Sequence, residues 1–537
     1  MQANLLLYGS VFVAGVVSFG IEMATSRLIG AVLGTSDIVW AAVITLVLVY
    51  LSAGYTLGGR LADRFPTLQA YFRLLLWAAF ATGLIPVLAR PLLLRMASAF
   101  ALANLDLLVL AAVGLSVMLL FAVPVTLLGC VAPYVVRLGV GDPEAVGSVA
   151  GRAYALSTLG NILGTIAPLL LIPVVGTAWT FGLFALLLMV VGLVGLASVE
   201  PRRVLRFGVL PVVLVVALAL GIAGPVKPAP AGTTLLYEKE SAYNYIQVVE
   251  VQPGVVVASQ PPGTRFLLLN EGQGVHSVYH PQQLQTYATW DMFLAAPYFN
   301  PPSFDPATID RIAIIGLAAG TIAQQYTAVY GPIHIDGIEI DPDIVEAGRR
   351  YFNMTMPNLN VIVDDGRYGL AGLEGDYDLV AIDAYRVPYI PWHLTTVEFF
   401  TEVREKLAPD GVVMINVGRA AEDRRFVEAI TATMRQVFPT VHAIDVPHSF
   451  NTMLVGTRTE TSPENLDQHL RRLGPDVHPL LRDTLRLAQE SLVPSTSSGI
   501  IFTDERAPVE TLINAMIFEF IVGDNFEVFQ ESGPQGQ

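Results

Sequence analysis

Between residues 312 and 383 the chain sets glycines and carboxylates at intervals that carry chemical meaning. Gly316 and Gly320 bracket the turn GLAAG, directly after the apolar run RIAIIG. Glycine at such a turn lets backbone approach a ligand with no Cβ in the way. Glu339 stands about 20 residues further on, at the end of IHIDGIEID, where a carboxylate accepts hydrogen bonds from both hydroxyls of a ribose. Asp365, in VDDG, is placed to accept from an adenine amino group, while Asp364 beside it reads as a turn cap. Asp383 closes YDLVAIDAY, where the reacting group should lie and where a carboxylate can take or hold a proton. The spacing alone leaves a nicotinamide dinucleotide open. The turn lacks the third glycine of G-x-G-x-x-G, however, because Ile322 or Ala323 stands there. The DDG and the aspartate after the fourth run fit an adenosylmethionine-type sulfonium nucleoside better.

These residues need a scaffold that brings strand tips together. From Asp310 onward, strand-like and helix-like segments alternate: RIAIIG, TIAQQYTAVY, IHIDGIEID, DIVEAGRRYF, LNVIVDDG, YDLVAIDAY, TVEFFTEVREKL and GVVMINVG. Such alternation implies a parallel, doubly wound α/β (Rossmann-like) sheet of the class I methyltransferase type. A helix at 423–437 and two adjacent strands, TVHAIDV and NTMLVGT, predict an antiparallel edge. Upstream, YNYIQVVEV and RFLLLNEG read as a small antiparallel β unit, and LQTYATWDMFLAAPYF (284–299) as a helix.

The first part of the chain is of another kind. Of the 537 residues, 53% are hydrophobic and only 14% charged, against about 25% charged in soluble domains. Mean hydropathy is +0.55. Apolar stretches at roughly 5–33, 38–59, 70–89, 105–136, 153–174, 176–198 and 205–224 are long enough to cross a bilayer. The N-terminus lacks the marks of a cleaved signal peptide and reads as a first helix. Arginine clusters fall in alternate loops and assign those loops to the cytoplasmic side. An odd number of spans would then put the C-terminal part outside, but the long 105–136 run holds Pro124 and Pro133 and reads equally as two segments. A cytosolic cosubstrate favours a cytoplasmic domain. Glu22 and Arg27 lie in the first apolar run, where a charge must pair, face the bundle interior or sit near an interface. GGRLADR (58–64) resembles the loop signature of major facilitator transporters, with Gly for close helix approach and Asp63 and its arginines locking helix ends. The GPVKPAPAGTT linker marks the boundary, giving a membrane domain 1–226, a linker and small β domain 227–283, and an α/β domain 284–537. The net charge of −15 argues against nucleic acid. The single cysteine, Cys130, excludes a disulfide framework and a Cys-rich zinc site, and reads as a buried inert thiol; no metal is expected.

The run 240–456 resembles the spermidine synthase family of aminopropyltransferases, and the whole chain resembles the bacterial branch in which such a domain follows a membrane domain. ESAYNYIQVVE is similar to the family's Glu-Ser-x-Tyr-Gln strand, with Asn244 in the glutamine's place. LLLNEGQGVHSVY is similar to its Leu-Asp-Gly-x-x-Gln hairpin, with Glu271 near the acid and Gln273 displaced. IEIDP, DDG and DAYRVPYIPWHLTTVEFF match its later motifs, and TDERAPVE (503–510) a tail of the fused branch. The resemblance implies Glu339 and Gln273 on the nucleoside, Asp365 at the adenine and Asp383 as the acid–base residue. Tyr243 and Tyr287 would line the acceptor pocket or else pack between strand and helix. The implied cosubstrate is decarboxylated S-adenosylmethionine or S-adenosylmethionine itself, and the implied partner a polyamine or other amine. A homodimer is left open, and the implied location is the bacterial inner membrane.

Departures accompany the likeness. Where the family's glycine-rich turn has an acid for the aminopropyl ammonium, this chain has Ala319. Arg386 replaces the second acid of the loop after the fourth strand, and Tyr287-Ala288-Thr289 stands near the family's Tyr-His-Glu. An ammonium buried without an acid loses its hydration uncompensated. Trp392 and His393 fall on a loop positioned to lid the site, His393 reading as a helix cap. A methyltransferase of the same fold and an amine transporter or sensor remain the alternatives.

Overall fold

The computed structural model describes residues 2–33, 37–100, 106–270, 274–386, 389–420 and 422–522. Contacts divide the chain into two units, Met1–Pro228 with Lys239–Tyr245, and Ala229–Glu238 with Ile246–Gln537.

The first unit is helical: α1 (Gln2–Leu33), α2 (Asp37–Arg64), α3 (Leu68–Phe100), α4 (Asp106–Gly129), α5 (Val131–Gly139), α6 (Val146–Val199), α7 (Pro201–Phe207) and α8 (Val209–Gly221). Among the described residues, 6 helical stretches are long and apolar enough to cross a membrane. The stretches expected at 153–174 and 176–198 form one helical run, α6, broken at Gly176 (φ 82°, ψ 164°). Glycine adopts that conformation without the Cβ clash other residues meet. The break exposes a fresh helix N-terminus, and the Glu240 carboxylate accepts from the Thr177 amide at 2.6 Å there, the sign the helix dipole favours. Arg27 donates to the Ala242 carbonyl. In the 58–64 segment, a Cβ on Gly58 would lie 2.5 Å from the Cα of Cys130, so glycine sets how closely α2 and α5 approach. Asp63 ties α2 to Arg137 of α5 at 3.0 Å. Cys130 is buried, as its apolar surroundings imply.

The second unit begins with a four-stranded sheet in the order β1 (Thr233–Glu240), β2 (Tyr245–Val251), β3 (Arg265–Leu269), β4 (Val275–Tyr279). The helix expected over 284–299 is instead a single turn, α9 (Thr289–Met292), followed by a tighter 3-10 run over Phe293–Phe299. Tyr287 has φ +57°, which no helix accommodates, and Pro297 lacks an amide. Residues 289–299 are buried on every side, so their apolar spacing reported burial rather than helical period.

The main sheet has the order β12-β10-β11-β9-β8-β5-β6-β7. Its parallel part comprises β5 (Arg311–Ile315), β6 (His334–Glu339), β7 (Leu359–Val363), β8 (Tyr377–Ile382) and β9 (Leu407–Gly418), with β10 (Thr440–Asp445), β11 (Asn451–Thr457) and β12 (Leu492–Val493) pairing antiparallel beyond β9. The helices are α10 (Thr321–Tyr330), α11 (Pro342–Tyr351), α12 (Gly366–Gly372), α13 (Val397–Lys406), α14 (Arg425–Met434), α15 (Glu464–Arg472), α16 (Pro479–Glu490) and α17 (Val509–Val522). Alternation along β5 explains its central place: Ile312 and Ile314 enter one core, Ala313 and Ile315 the other. Each fully buried aliphatic chain contributes about 1.5–3 kcal/mol. Because β6 lies on one side of β5 and β8 on the other, the strand order reverses at β5, which opens a crevice at the strand tips. A segment remote in sequence is tied to the helices beside the sheet. Arg367 at the start of α12 binds Glu402 of α13 at 2.6 Å and Asp504 at 2.8 Å, while Phe502 is fully buried and accepts from the Val397 amide.

Candidate active site

Four strands, β5, β6, β7 and β8, each lead into one of the residues singled out by the sequence. At the tip of β5, Gly316 has φ +86°, and a Cβ there would lie 2.7 Å from the Cα of Ala384 and the carbonyl carbon of Asp383. Only glycine lets the tips of β5 and β8 come this close, and the Asp383 amide donates to the Ile315 carbonyl at 2.8 Å. Gly320, at φ +87°, precedes α10 and is closed on one side by Met354. Between them Ala318 holds φ +49°, uncommon for a residue with a side chain. Ala319 is fully buried, and its amide donates to Ser277 Oγ of β4 at 2.9 Å.

Glu339 ends β6 and folds back on the turn: Oε2 accepts from the Ala318 amide at 2.9 Å and Oε1 from the Asp341 amide at 3.1 Å. Burial pushes its carboxyl up to about 7, and these amides offset part of that rise. Asp364 accepts from the Asp365 amide at 2.8 Å, a turn cap as its place in the sequence suggested. Asp365 in turn caps α12, accepting from the Arg367 and Tyr368 amides, and its Oδ2 meets His393 Nε2 at 2.9 Å. His393 is therefore no helix cap. It reaches from the 392–394 turn to the aspartate assigned to the adenine, and Arg367 donates to its carbonyl.

Asp383, half-buried, lies one residue beyond β8. Since Ile382 pairs with Ile415 in parallel register, the next residue on each strand, Asp383 and Asn416, are neighbours. Asn416 Nδ2 donates to Asp383 Oδ1 at 2.9 Å. The Trp290 side chain, on α9, lies near enough to the same carboxylate to favour its charged form. Burial pushes the Asp383 carboxyl up to about 7, with Asn416 and Trp290 pulling the other way. Tyr385 donates to the Asn416 carbonyl at 3.0 Å, and burial beside Asp383 raises its phenol.

Neither Trp290 nor Asn416 was among the expected site residues. Asn416 left a trace, a polar residue inside the apolar run GVVMIN, and it is 5% exposed. Trp290 left none, because its role follows from the turn before α9. There Asp291, 2% exposed, accepts from the amides of Thr286 and Tyr287, from Thr286 Oγ1 and from Gln325 Nε2. This fixes Tyr287 with its ring more than half exposed. Tyr243 belongs to the first unit, and its ring is half exposed. Gln273 and Glu271 lie outside the described residues. Among the described residues no group of three or more His, Cys, Asp or Glu side chains is disposed to hold a metal.

Residues 301–466 match the spermine/spermidine synthase domain. The chain is 30% identical over 321 residues to a probable polyamine aminopropyl transferase of Bifidobacterium longum, covering 57% of this chain and 66% of that protein. It is 28% identical over 278 residues to a polyamine aminopropyltransferase of Vibrio vulnificus, covering 50% of this chain and 87% of that one. Among solved structures, a probable spermidine synthase from Corynebacterium glutamicum is 23% identical, with a TM-score of 0.37, over 51% of this chain and 98% of the other.

Proposed function

We propose, from the premise that the C-terminal half of this chain carries a domain of the spermine/spermidine synthase family, that its second unit transfers an aminopropyl group from decarboxylated S-adenosylmethionine to an amine. The observation that carries the reading is Asp383, a carboxylate half-buried at the switch point, held by the Asn416 amide and with a proton affinity raised by burial to about 7. An acid–base group works best with its pKa near the operating pH.

In the proposed reaction the neutral amine of the acceptor attacks the carbon beside the sulfonium. The carbon–sulfur bond breaks, its electron pair stays on sulfur, and a neutral thioether leaves. The attacking nitrogen becomes cationic, and its proton passes to the Asp383 carboxylate. Little acid assistance is needed, so alignment and a deprotonated nucleophile supply most of the rate. Glu339 would accept from the ribose hydroxyls and Asp365, braced by His393, from the adenine amine. Gly316 and Gly320 would admit the nucleoside to the backbone, with Gln273 beside it. Tyr287 would border the acceptor. The apolar helices would hold this unit at a bilayer, with the α/β part on the cytoplasmic face.

Buried Ala319 favours a second reading, methyl transfer from S-adenosylmethionine, because no carboxylate stands there to receive an ammonium. The test is incubation of the purified full-length chain with putrescine or spermidine and either sulfonium, with products read by mass. An aminopropylated amine, and 5′-methylthioadenosine in equal amount, is the expected result. A methylated amine selects the second reading, and no product from either sulfonium sinks both.

A further inference from the structure

The donors to Asp383 are themselves held. Asn416 Oδ1 accepts from Asn451 Nδ2 at 2.8 Å, and Asn451 Oδ1 accepts from Ser449 Oγ at 2.6 Å. The sheet register explains the contact. On antiparallel β11, Met453 pairs with Asn416 and Asn451 pairs with Gly418, so Asn451 is the diagonal neighbour of Asn416. An amide side chain has one accepting and one donating end, and which end faces a partner is set by what the other end meets. Here the Asn451 donor takes the Asn416 oxygen, and the Asn416 NH₂ takes Asp383.

We propose that Asn416 is a positioning residue of this site, its amide held by Asn451, which is itself bonded to Ser449, so that it presents a donor to Asp383. The proposal rests on the reading of Asp383 as the reacting carboxylate. Its consequence is directional. A donor on Oδ1 stabilises the ionised form of the carboxylate. Were the amide reversed, its oxygen would face Asp383 and demand a proton there. The titratable and charged groups on the surrounding elements are Tyr385 on the same loop, Asp291 on α9, Glu339 at the tip of β6 and Arg419 just past β9. Among the described residues, none of these four groups forms a hydrogen bond or ion pair with Asp383.

The test reads the proton affinity of Asp383 without any substrate. Thermal unfolding of the full-length chain in detergent is followed from pH 4 to 9, with and without Asp383→Asn in each background. For a carboxyl whose folded pKa is raised, its share of stability is present below the unfolded pKa and is lost as pH rises through the folded pKa. The pH at which the difference levels off therefore reports the folded value. Asn416→Leu should move that limit upward by about one pH unit, as expected for losing a hydrogen bond to a charged group. Asn451→Leu, which makes no contact with Asp383, should move it the same way by releasing the Asn416 amide. Ser449→Ala, on a half-exposed loop and safe for folding, should move it upward by less. An unmoved limit in Asn451→Leu and Ser449→Ala overturns the proposal, as does a loss of stability that is uniform across pH in all three. Failure of the full-length chain to turn over any sulfonium would sink the transfer reading and leave this measurement standing.

Discussion

Two carboxylates on the same strand, Asp336 and Glu339, meet opposite treatment. Asp336, inside β6, is 2% exposed and surrounded by donors: Tyr377 Oη at 2.7 Å, Asn360 Nδ2 at 2.8 Å and His334 Nε2 at 2.8 Å, with the Arg311 guanidinium at 3.6 Å. Burial pulls its pKa upward, yet these bonds outweigh that and hold it below the usual carboxylate range. Glu339, at the tip, is 7% exposed and meets only backbone amides; like Asp383 it is pushed up to about 7. Inside the sheet the buried charge is met by several side-chain donors and a guanidinium, while at the tips amide donors only partly offset the cost of burial. A strongly perturbed carboxylate in a cleft marks a candidate functional site. The contrast sets a carboxylate tied into the sheet beside the two given roles in the proposed function.

The contrast can be broken from either side. The largest expected effect is Asp383→Asn, which should lower turnover about 10²–10⁴-fold with the melting midpoint at pH 6 unchanged or raised. A turnover loss below tenfold would remove Asp383 from the chemistry. At the other end, Asp336→Ala strands the Arg311 charge and should cost about 3 kcal/mol of stability. It should leave turnover per folded molecule within a factor of two, as denaturant titration and active-site-normalised rates would show. Gly316→Ala forces a Cβ against Ala384 at positive φ and should cost about 1–3 kcal/mol, with a larger rise in KM for the nucleoside than Asp336→Ala gives. The smallest effect is the most diagnostic. Raised Glu339 and Asp383 contribute stability that is full below about pH 4 and lost as pH rises toward 7. Depressed Asp336 contributes stability present above about pH 4 and lost on further acidification. Glu339→Gln should therefore flatten part of the fall between pH 4 and 7 and leave the acid limb untouched. A mutant curve parallel to the parent's would contradict the assignment.

Much of this site was legible from the residues because strand tips are marked locally. A period-two apolar run ends where a glycine or an acid interrupts it, which locates Gly316, Glu339, Asp365 and Asp383 without knowledge of what lies beside them. Trp290, Asn416 and His393 reach the candidate site only through pairings that the sequence alone does not show. Asn416 meets Asp383 because β8 and β9 share a register, and His393 meets Asp365 across a turn 28 residues on. The 284–299 segment misled for a related reason, since spacing by three and four reflects burial all round as readily as one helical face. The break in α6 likewise depends on Gly176 adopting a backbone conformation that neighbouring apolar residues do not announce.

The hold of Arg367 on Asp504 spans 137 positions of chain. This contact cannot form until residue 504 has been made, so the docking of the 502–504 segment on α12 and α13 comes late in synthesis. Loop closure over that length slows assembly far more than it weakens the finished state, so nascent chains stalled before Phe502 would be the forms most exposed to proteolysis.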